Sequence, residues 1–406
     1  MEQLWLIAAL WAGLALLAVF CAHLLHLPTP VCEIALGALA PLVVAPWLGS
    51  SWLSPTIPWV VFLAGSGSLL LTFLAGTELD PTVLRATWRE ALLVGLVGCV
   101  VPLGGVAAAA HYLLGWHSRA AWVAAVALST GSVSVVYTVL TEMGLSQTGL
   151  GQGLLATSYL NNLFSAIALA LILTPFTIRS VILLAACVMA GLLAPSVSSR
   201  VLGRLRSRAA QPDVRYLLFL LFGLGGLSVW AGSELVLPAY VMGMALSGLV
   251  GRNHALIHHL RVLTFSILTP FYFLRAGTLV HIPALAAVPW LFAALLAAKL
   301  LSKLVGVLPA LRVFDYSRRE SLYGGLMLSL GLMLGTVIAT TGLTRGLVNA
   351  TQYSHLVAAV VASTVIPVTI ANTFFAPKHL LPDAEQAGVR RVPRSSRRGV
   401  KKAGAI

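Results

Sequence analysis

The sequence predicts an all-α polytopic membrane protein of about thirteen transmembrane helices, and three observations predict it. Of 406 residues, 59% are hydrophobic and 9% charged, whereas soluble domains carry roughly 25% charged residues. The apolar stretches are too long and too many to be core helices of a soluble fold. The basic residues between them fall into alternate loops. No segment has the two-residue alternation of a membrane barrel strand.

The spans run at about 3–24, 28–47, 57–76, 91–113, 120–140, 151–174, 178–198, 214–231, 233–250, 258–279, 287–308, 320–342 and 354–375. Each lies near the roughly 20 residues that cross a bilayer as one helix. The first has no basic leader and no small-residue cleavage signal, so it reads as a retained helix. The second carries Glu33, the one acid clearly inside a span; the third ends at Glu78 and Asp80. The fourth follows Arg85 and Arg89. The fifth is interrupted by Thr130, Gly131 and Ser132. The sixth, LLATSYLNNLFSAIALALIL over 154–173, carries the adjacent amides Asn161 and Asn162. The seventh enters the longest connection, 196–213. The eighth and ninth carry no Asp, Glu, Lys or Arg in their middles. The tenth carries Arg275 between Pro270 and Gly277. The eleventh carries Lys299 and Lys303. The twelfth carries Ser329, Gly331, Gly335 and Thr336. The thirteenth precedes a basic, polar tail, 377–406, whose composition predicts disorder and contact with anionic lipid headgroups.

Of the 26 basic residues, 20 lie on one side of this arrangement and only Arg119, Arg179 and Arg345 on the other. The positive-inside rule then places the basic loops and the C-terminus in the cytoplasm and the N-terminus outside the inner (plasma) membrane. The net charge of +14 is therefore a topology signal, and no nucleic-acid partner is expected. Cys21, Cys32, Cys99 and Cys187 lie in spans at no metal-ligand spacing and read as small core residues. No metal cluster, nucleotide loop or nucleophile–base pairing points to an enzyme, and no cofactor is expected.

The long central connection separates six spans and a linking helix from six more. Two six-helix halves joined by an odd helix have opposite orientations, the geometry of an inverted-repeat transporter, whose site lies at the midplane where helices break. Each half has one such candidate, its fifth span: VALSTGSVSVVYTVL over 126–140 and LMLSLGLMLGTVIATTG over 326–342. Glycine weakens a helix interior by about 1 kcal/mol, and serine and threonine hydroxyls satisfy backbone groups that a break frees. Close packing through small residues is the alternative.

Polar groups at depth mark the site. An unsatisfied amide in hydrocarbon costs several kcal/mol, so Asn161 and Asn162 face a cavity, an ion or other helices. With Thr130, Ser132, Thr157 and Ser158 they supply an oxygen shell for a monovalent cation, centred on Asn161, Asn162 and Thr130. Lys299 and Lys303 share one helix face. Lysine at the helix centre costs about 2.5–3.5 kcal/mol on insertion scales, so one of them belongs at the site, while Lys303 also has a snorkelling alternative. Arg275 reads first as ordering the interface between halves, second as lining a cavity. No carboxylate occupies the middle of the candidate site helices.

Four motifs resemble a known family. LLLTFLAGTELDPTVL over 69–84 looks like its Phe-Leu-Ala-Gly, Glu-Leu-Asp signature. LPTPVCEIALGALAP over 27–41 resembles its glutamate-bearing second span, with Glu33 at the glutamate. Residues 126–144 look like its unwound helix, and PFYFLRAG over 270–277 is similar to its Phe-Phe segment. Across about residues 5–375 the chain resembles the monovalent cation:proton antiporter superfamily, the bacterial Na+/H+ or K+/H+ exchanger domain. The resemblance implies a homodimer in which a core domain with two crossed broken helices moves like an elevator against a dimer domain. It assigns residues 1–376 to that membrane domain. The dimer-domain helices are then about 3–76 and 214–279, the core helices about 91–174 and 287–375, and the linking helix about 178–198. It also places an Asp-Asp or Asn-Asp pair where this chain has Asn161 and Asn162, so Asn162 stands at the aspartate that binds cation and proton.

The expected function is exchange of Na+ or K+ for protons, with Lys299 or Lys303 carrying the proton. The missing carboxylate keeps a proton-independent uniporter, or a sodium-coupled or anion transporter on the same fold, as the alternative. A non-transporting sensor is the second alternative.

Overall fold

A computed structural model describes residues 2–25, 27–78, 81–146, 148–173, 177–204, 212–233, 235–250, 253–377 and 380. Asp80, Glu234, Arg252, the centre of the basic connection (205–211) and the tail beyond 380 lie outside the described residues, as does the side chain of Glu142.

Among the described residues, seventeen α-helices make thirteen passes. The first four are α1 (Glu2–Leu25), α2 (Thr29–Leu48), α3 (Pro58–Thr77) and α4 (Pro81–Ala108). The fifth is split into α5 (Ser118–Ser129) and α6 (Val133–Glu142). Then come α7 (Gly149–Leu173), α8 (Ile178–Arg204), α9 (Pro212–Trp230) and α10 (Val236–Val250). The tenth pass runs from α11 (His254–Leu263) through a π-helical turn into α12 (Thr269–Thr278). After a short connecting helix, α13 (Ile282–Ala287), come α14 (Pro289–Arg312), the split pass α15 (Arg318–Met327) and α16 (Met333–Thr344), and α17 (Ala350–Ile370).

Eight helices are long and apolar enough to cross a membrane by length and composition, and Thr29–Val44, Val236–Val250 and Met333–Thr344 are shorter apolar helices. Large apolar side chains point outward, with Trp47 85% and Leu24 79% exposed. An apolar surface of that kind marks contact with a membrane. Helix starts carry their own signals: reciprocal capping by Ser317 with Glu320 and by Asn349 with Gln352 satisfies otherwise orphaned N–H groups of α15 and α17.

The helices pack as two groups. One holds α4–α7 and α14–α17; the other holds α1–α3 and α8–α12. Small residues fix the closest crossings. A Cβ on Gly37 of α2 would collide with the Leu274 carbonyl of α12, and one on Gly277 of α12 with the Ile34 carbonyl of α2. The same mutual arrangement joins α3 and α10, where Gly76 lies against the Tyr240 carbonyl and Gly243 against the Phe73 carbonyl. These crossings pair the second pass with the tenth and the third with the ninth. An inverted repeat that maps the first six passes onto the last six exchanges the two crossings. The repeat is thus visible in backbone packing, with glycine required at both because no side chain fits.

The two split passes break in unequal ways. In the first, Thr130 (φ −61°, ψ 155°) and Ser132 (φ −139°, ψ 99°) are extended around Gly131, as the sequence suggests. In the second, the break covers residues 328–332, so Ser329 and Gly331 lie in it, but Gly335 and Thr336 do not. They belong to the first turn of α16. The Thr336 hydroxyl bonds back to the Leu332 and Met333 carbonyls, and a Cβ on Gly335 would stand 3.0 Å from the Ala127 carbonyl of α5. Gly335 is thus a packing glycine, and Thr336 ties its own helix start.

Candidate functional site

The two breaks meet. A Cβ on Gly331 would lie 2.5 Å from the Thr130 carbonyl oxygen, 2.8 Å from its hydroxyl and 3.1 Å from Lys299 Nζ. Only glycine lets the second break approach the first this closely. Around this point the sixth and eleventh passes close in, because α4 carries glycines facing both. Gly95 packs against Leu160 and the Asn161 backbone of α7, and Gly98 against Val307 of α14.

That packing brings Lys303 to Asn161. Lys303 Nζ, fully buried, donates to the Gly98 carbonyl at 2.6 Å, the Ser129 carbonyl at 2.9 Å and Asn161 Oδ1 at 2.9 Å. An ammonium has three N–H donors, and all three are used. Asn161 Nδ2 also donates to the Ser129 carbonyl, at 3.1 Å. Ser129 ends α5, so its carbonyl carries the negative end of the half-helix dipole, and the ammonium lies where that dipole favours a cation. Asn162 does different work: its Oδ1 accepts the Gly131 N–H at 2.9 Å, holding the extended segment before α6.

Lys299 is equally buried but is one turn away. Its Nζ donates to Ser363 Oγ of α17 at 2.7 Å. Neither lysine reaches the surface, and the two bind different partners: Lys303 the first break, Lys299 a serine of α17. Thr130 donates its hydroxyl to the Ala127 carbonyl at 2.9 Å. Ser132, Thr157 and Ser158 are buried with hydroxyls that have no hydrogen-bond partner among the described residues. Thr157 and Ser158 precede Asn161 and Asn162 by one helical turn and so share their face.

The sodium/hydrogen exchanger transmembrane family model matches residues 11–376. The chain belongs to this exchanger family. A probable Na+/H+ antiporter 3 of Methanocaldococcus jannaschii is 26% identical over 331 residues, 77% of this chain and 84% of that protein. The Na+/H+-K+ antiporter GerN of Bacillus cereus is 24% identical over 281 residues, 66% of this chain and 71% of that protein. Among solved structures, the sodium proton antiporter MjNhaP1 from Methanocaldococcus jannaschii has the same fold. Its TM-score is 0.67 at 15% identity, covering 92% of this chain and 96% of that one.

In this exchanger the site contains groups that sequence reasoning missed. Ser129 and Gly98 contribute carbonyl oxygens, which no side-chain pattern signals. Ser363 holds Lys299. Ser165 Oγ donates to the Asn161 carbonyl at 2.9 Å and lies 3.6 Å from Cys99 Sγ, so that cysteine packs directly behind the amide pair. Glu33, by contrast, is buried on α2 in the other helix group, with one carboxylate oxygen unpartnered. Arg275 donates from Nε to the Pro55 carbonyl at 2.7 Å and also lines a cavity, so both of its expected roles have a structural counterpart.

Proposed function

We propose that this chain exchanges a monovalent cation, Na+ or K+, for protons, and that the Lys303 ammonium and the cation compete for one set of oxygens. One observation carries this reading: Gly98 O, Ser129 O and Asn161 Oδ1 converge on a single buried Nζ. Carbonyl and amide oxygens are also what a hard cation takes as ligands. A desolvated ammonium with no carboxylate beside it is costly to keep. When Lys303 gives up its proton, these oxygens lose a donor, and a cation entering next to Asn161 replaces the lost charge. The idle hydroxyls of Ser132, Thr157 and Ser158, with Thr130 and Asn162, complete the proposed shell. The site then carries one positive charge in either state, so no aspartate is needed at position 162.

The movement we propose is an elevator. The core is α4–α7 and α14–α17, sliding on α1–α3 and α9–α12 as a dimer domain, with α8 as the linking helix. The C-terminus is cytoplasmic, the N-terminus outside, and two copies pair in the plasma membrane. The boundary between the helix groups is largely apolar, with Val31, Ile34, Ala64 and Leu71 of one packed in a cluster with residues of the other. It carries isolated polar contacts such as the Tyr240 hydroxyl donating to the Tyr159 carbonyl at 3.0 Å. Apolar side chains can slide past one another without breaking hydrogen bonds.

Proteoliposomes loaded with a pH-sensitive dye test the exchange. Adding Na+ or K+ dissipates an imposed pH gradient if the reading holds; no response to Na+, K+ or Li+ overturns it. The saturated hydrogen bonding of Lys303 favours one rival, a fixed ammonium beside a proton-independent cation path. Radiotracer cation flux without any dye response would select that rival.

A further inference from the structure

A largely apolar cavity with a few polar groups lies away from the breaks, between the two helix groups. It has a volume of ≈ 280 Å³ and is lined by Ser68 of α3, Tyr272 and Arg275 of α12, and Thr340, Thr341 and Thr344 of α16, among others. The guanidinium is the only charged group lining it among the described residues. Its Nε is taken by the Pro55 carbonyl, and its Nη groups have no acceptor among the described residues. The Tyr272 hydroxyl is buried and makes no hydrogen bond of proper geometry, although Thr336 and Thr340 are its neighbours. A half-buried guanidinium with unused donors, a buried phenol and the hydroxyls of Ser68 and Thr340 give this cavity one positive charge and a few O–H groups.

We propose that this cavity binds a monovalent inorganic anion of the halide class. The guanidinium supplies the charge and the fork of donors; Tyr272 and Ser68 supply O–H donors, and Thr340 supplies another by turning its hydroxyl from Tyr353, 3.4 Å away. No carboxylate is among its described lining residues to neutralise the guanidinium. One positive charge balances a monovalent anion and leaves a divalent one uncompensated in a low-dielectric wall. The pocket joins α12 of one helix group to α16 of the other, and Arg345, next to Thr344, adds a bridge by donating to the Gly232 carbonyl at 3.1 Å. An anion bound there ties together two groups that transport must separate, so it favours the state seen here.

The test needs no transport, so it stands or falls apart from the proposed exchange. The purified full chain is melted in sodium chloride against sodium gluconate at constant ionic strength. Chloride should raise the melting temperature by roughly 2–4 °C at saturation. Arg275→Gln should remove the response. Because Arg275 also holds Pro55, Tyr272→Phe and Thr340→Val are measured beside it, each expected to weaken apparent chloride affinity at least threefold. No chloride-specific shift in the native chain overturns the proposal. So does a response undiminished in both Tyr272→Phe and Thr340→Val, or a response to sulfate alone.

Discussion

The two helix breaks occupy equivalent positions in an inverted repeat, yet they are held open by different means. The first depends on other helices. The Ser129 carbonyl takes donors from Lys303 of α14 and Asn161 of α7, and the Gly131 N–H is held by Asn162. The second is largely satisfied from within its own pass. The Ser329 hydroxyl donates to the Gly325 carbonyl, the Leu328 N–H to the Gly324 carbonyl, and the Thr336 hydroxyl to Leu332 and Met333. Lys299 touches this region but bonds to Ser363. The comparison separates a break that needs partners, and can be altered by them, from one that is a self-contained joint. The proposed ion chemistry is placed at the first.

Removing each lysine is the strongest way to break this comparison. Lys303→Met strips a donor from three buried acceptors; the Ser129 carbonyl keeps Asn161 Nδ2, while Gly98 O and Asn161 Oδ1 lose this partner, at about 1–3 kcal/mol for each acceptor left unpaired. We expect loss of exchange and the largest fall in melting temperature of any single substitution at the site. Lys299→Met costs less, because Ser363 keeps its own bond to the Val360 carbonyl at 2.7 Å. If thermal melts and dye-based exchange rank the two lysines equally, the asymmetry between the breaks is not what the geometry implies.

Next in size is the crossing itself. Gly331→Ala puts a methyl group 2.5 Å from the Thr130 carbonyl oxygen, whereas Gly131→Ala would stand 3.3 Å from the Asn161 and Asn162 amides. Overpacking of the first kind costs roughly 1–3 kcal/mol. Gly331→Ala should therefore lower stability and exchange together, and Gly131→Ala should do so less. Melting curves on both variants check the order.

Asn162→Asp sharpens the comparison with a smaller effect. A carboxylate keeps the bond to the Gly131 N–H and makes it charge-assisted, so the variant should fold normally. If Lys303 already carries the proton, exchange should persist within about tenfold of the native rate, roughly 1.4 kcal/mol. Exchange that appears only in Asn162→Asp would mean that the native chain lacks proton coupling.

Much of this was legible in the sequence. Span positions, the first break, the amide pair and the buried lysines follow from polarity set against apolar periodicity. The second break was placed too broadly, because a packing glycine and a back-bonding threonine look like break residues in a one-dimensional pattern. The choice between Lys299 and Lys303 was also hidden. Four residues of helix advance about 6 Å, enough to carry side chains on one face to different partners. The carbonyls of Gly98 and Ser129 left no trace, since every residue has one. That is a general limit where backbone oxygens do the binding.

The smallest expected effect is the most specific. Thr157 is buried, and its hydroxyl has no partner, so Thr157→Val removes a group that contributes nothing to the ion-free fold. Replacing a hydrogen-bonded hydroxyl in this way would cost about 1 kcal/mol; removing an idle one should leave stability unchanged or slightly higher. In the cation-bound state the same change deletes a ligand. An interaction of about 1 kcal/mol corresponds to roughly fivefold in affinity, so the KM for the cation should rise by about that factor while the melting temperature holds. A matched Ser363→Ala, at the α17 partner of Lys299, should leave the cation KM alone. Equal effects on KM would remove the reason for placing the ion at the partner-dependent break; an unchanged KM in Thr157→Val would take that hydroxyl out of the shell.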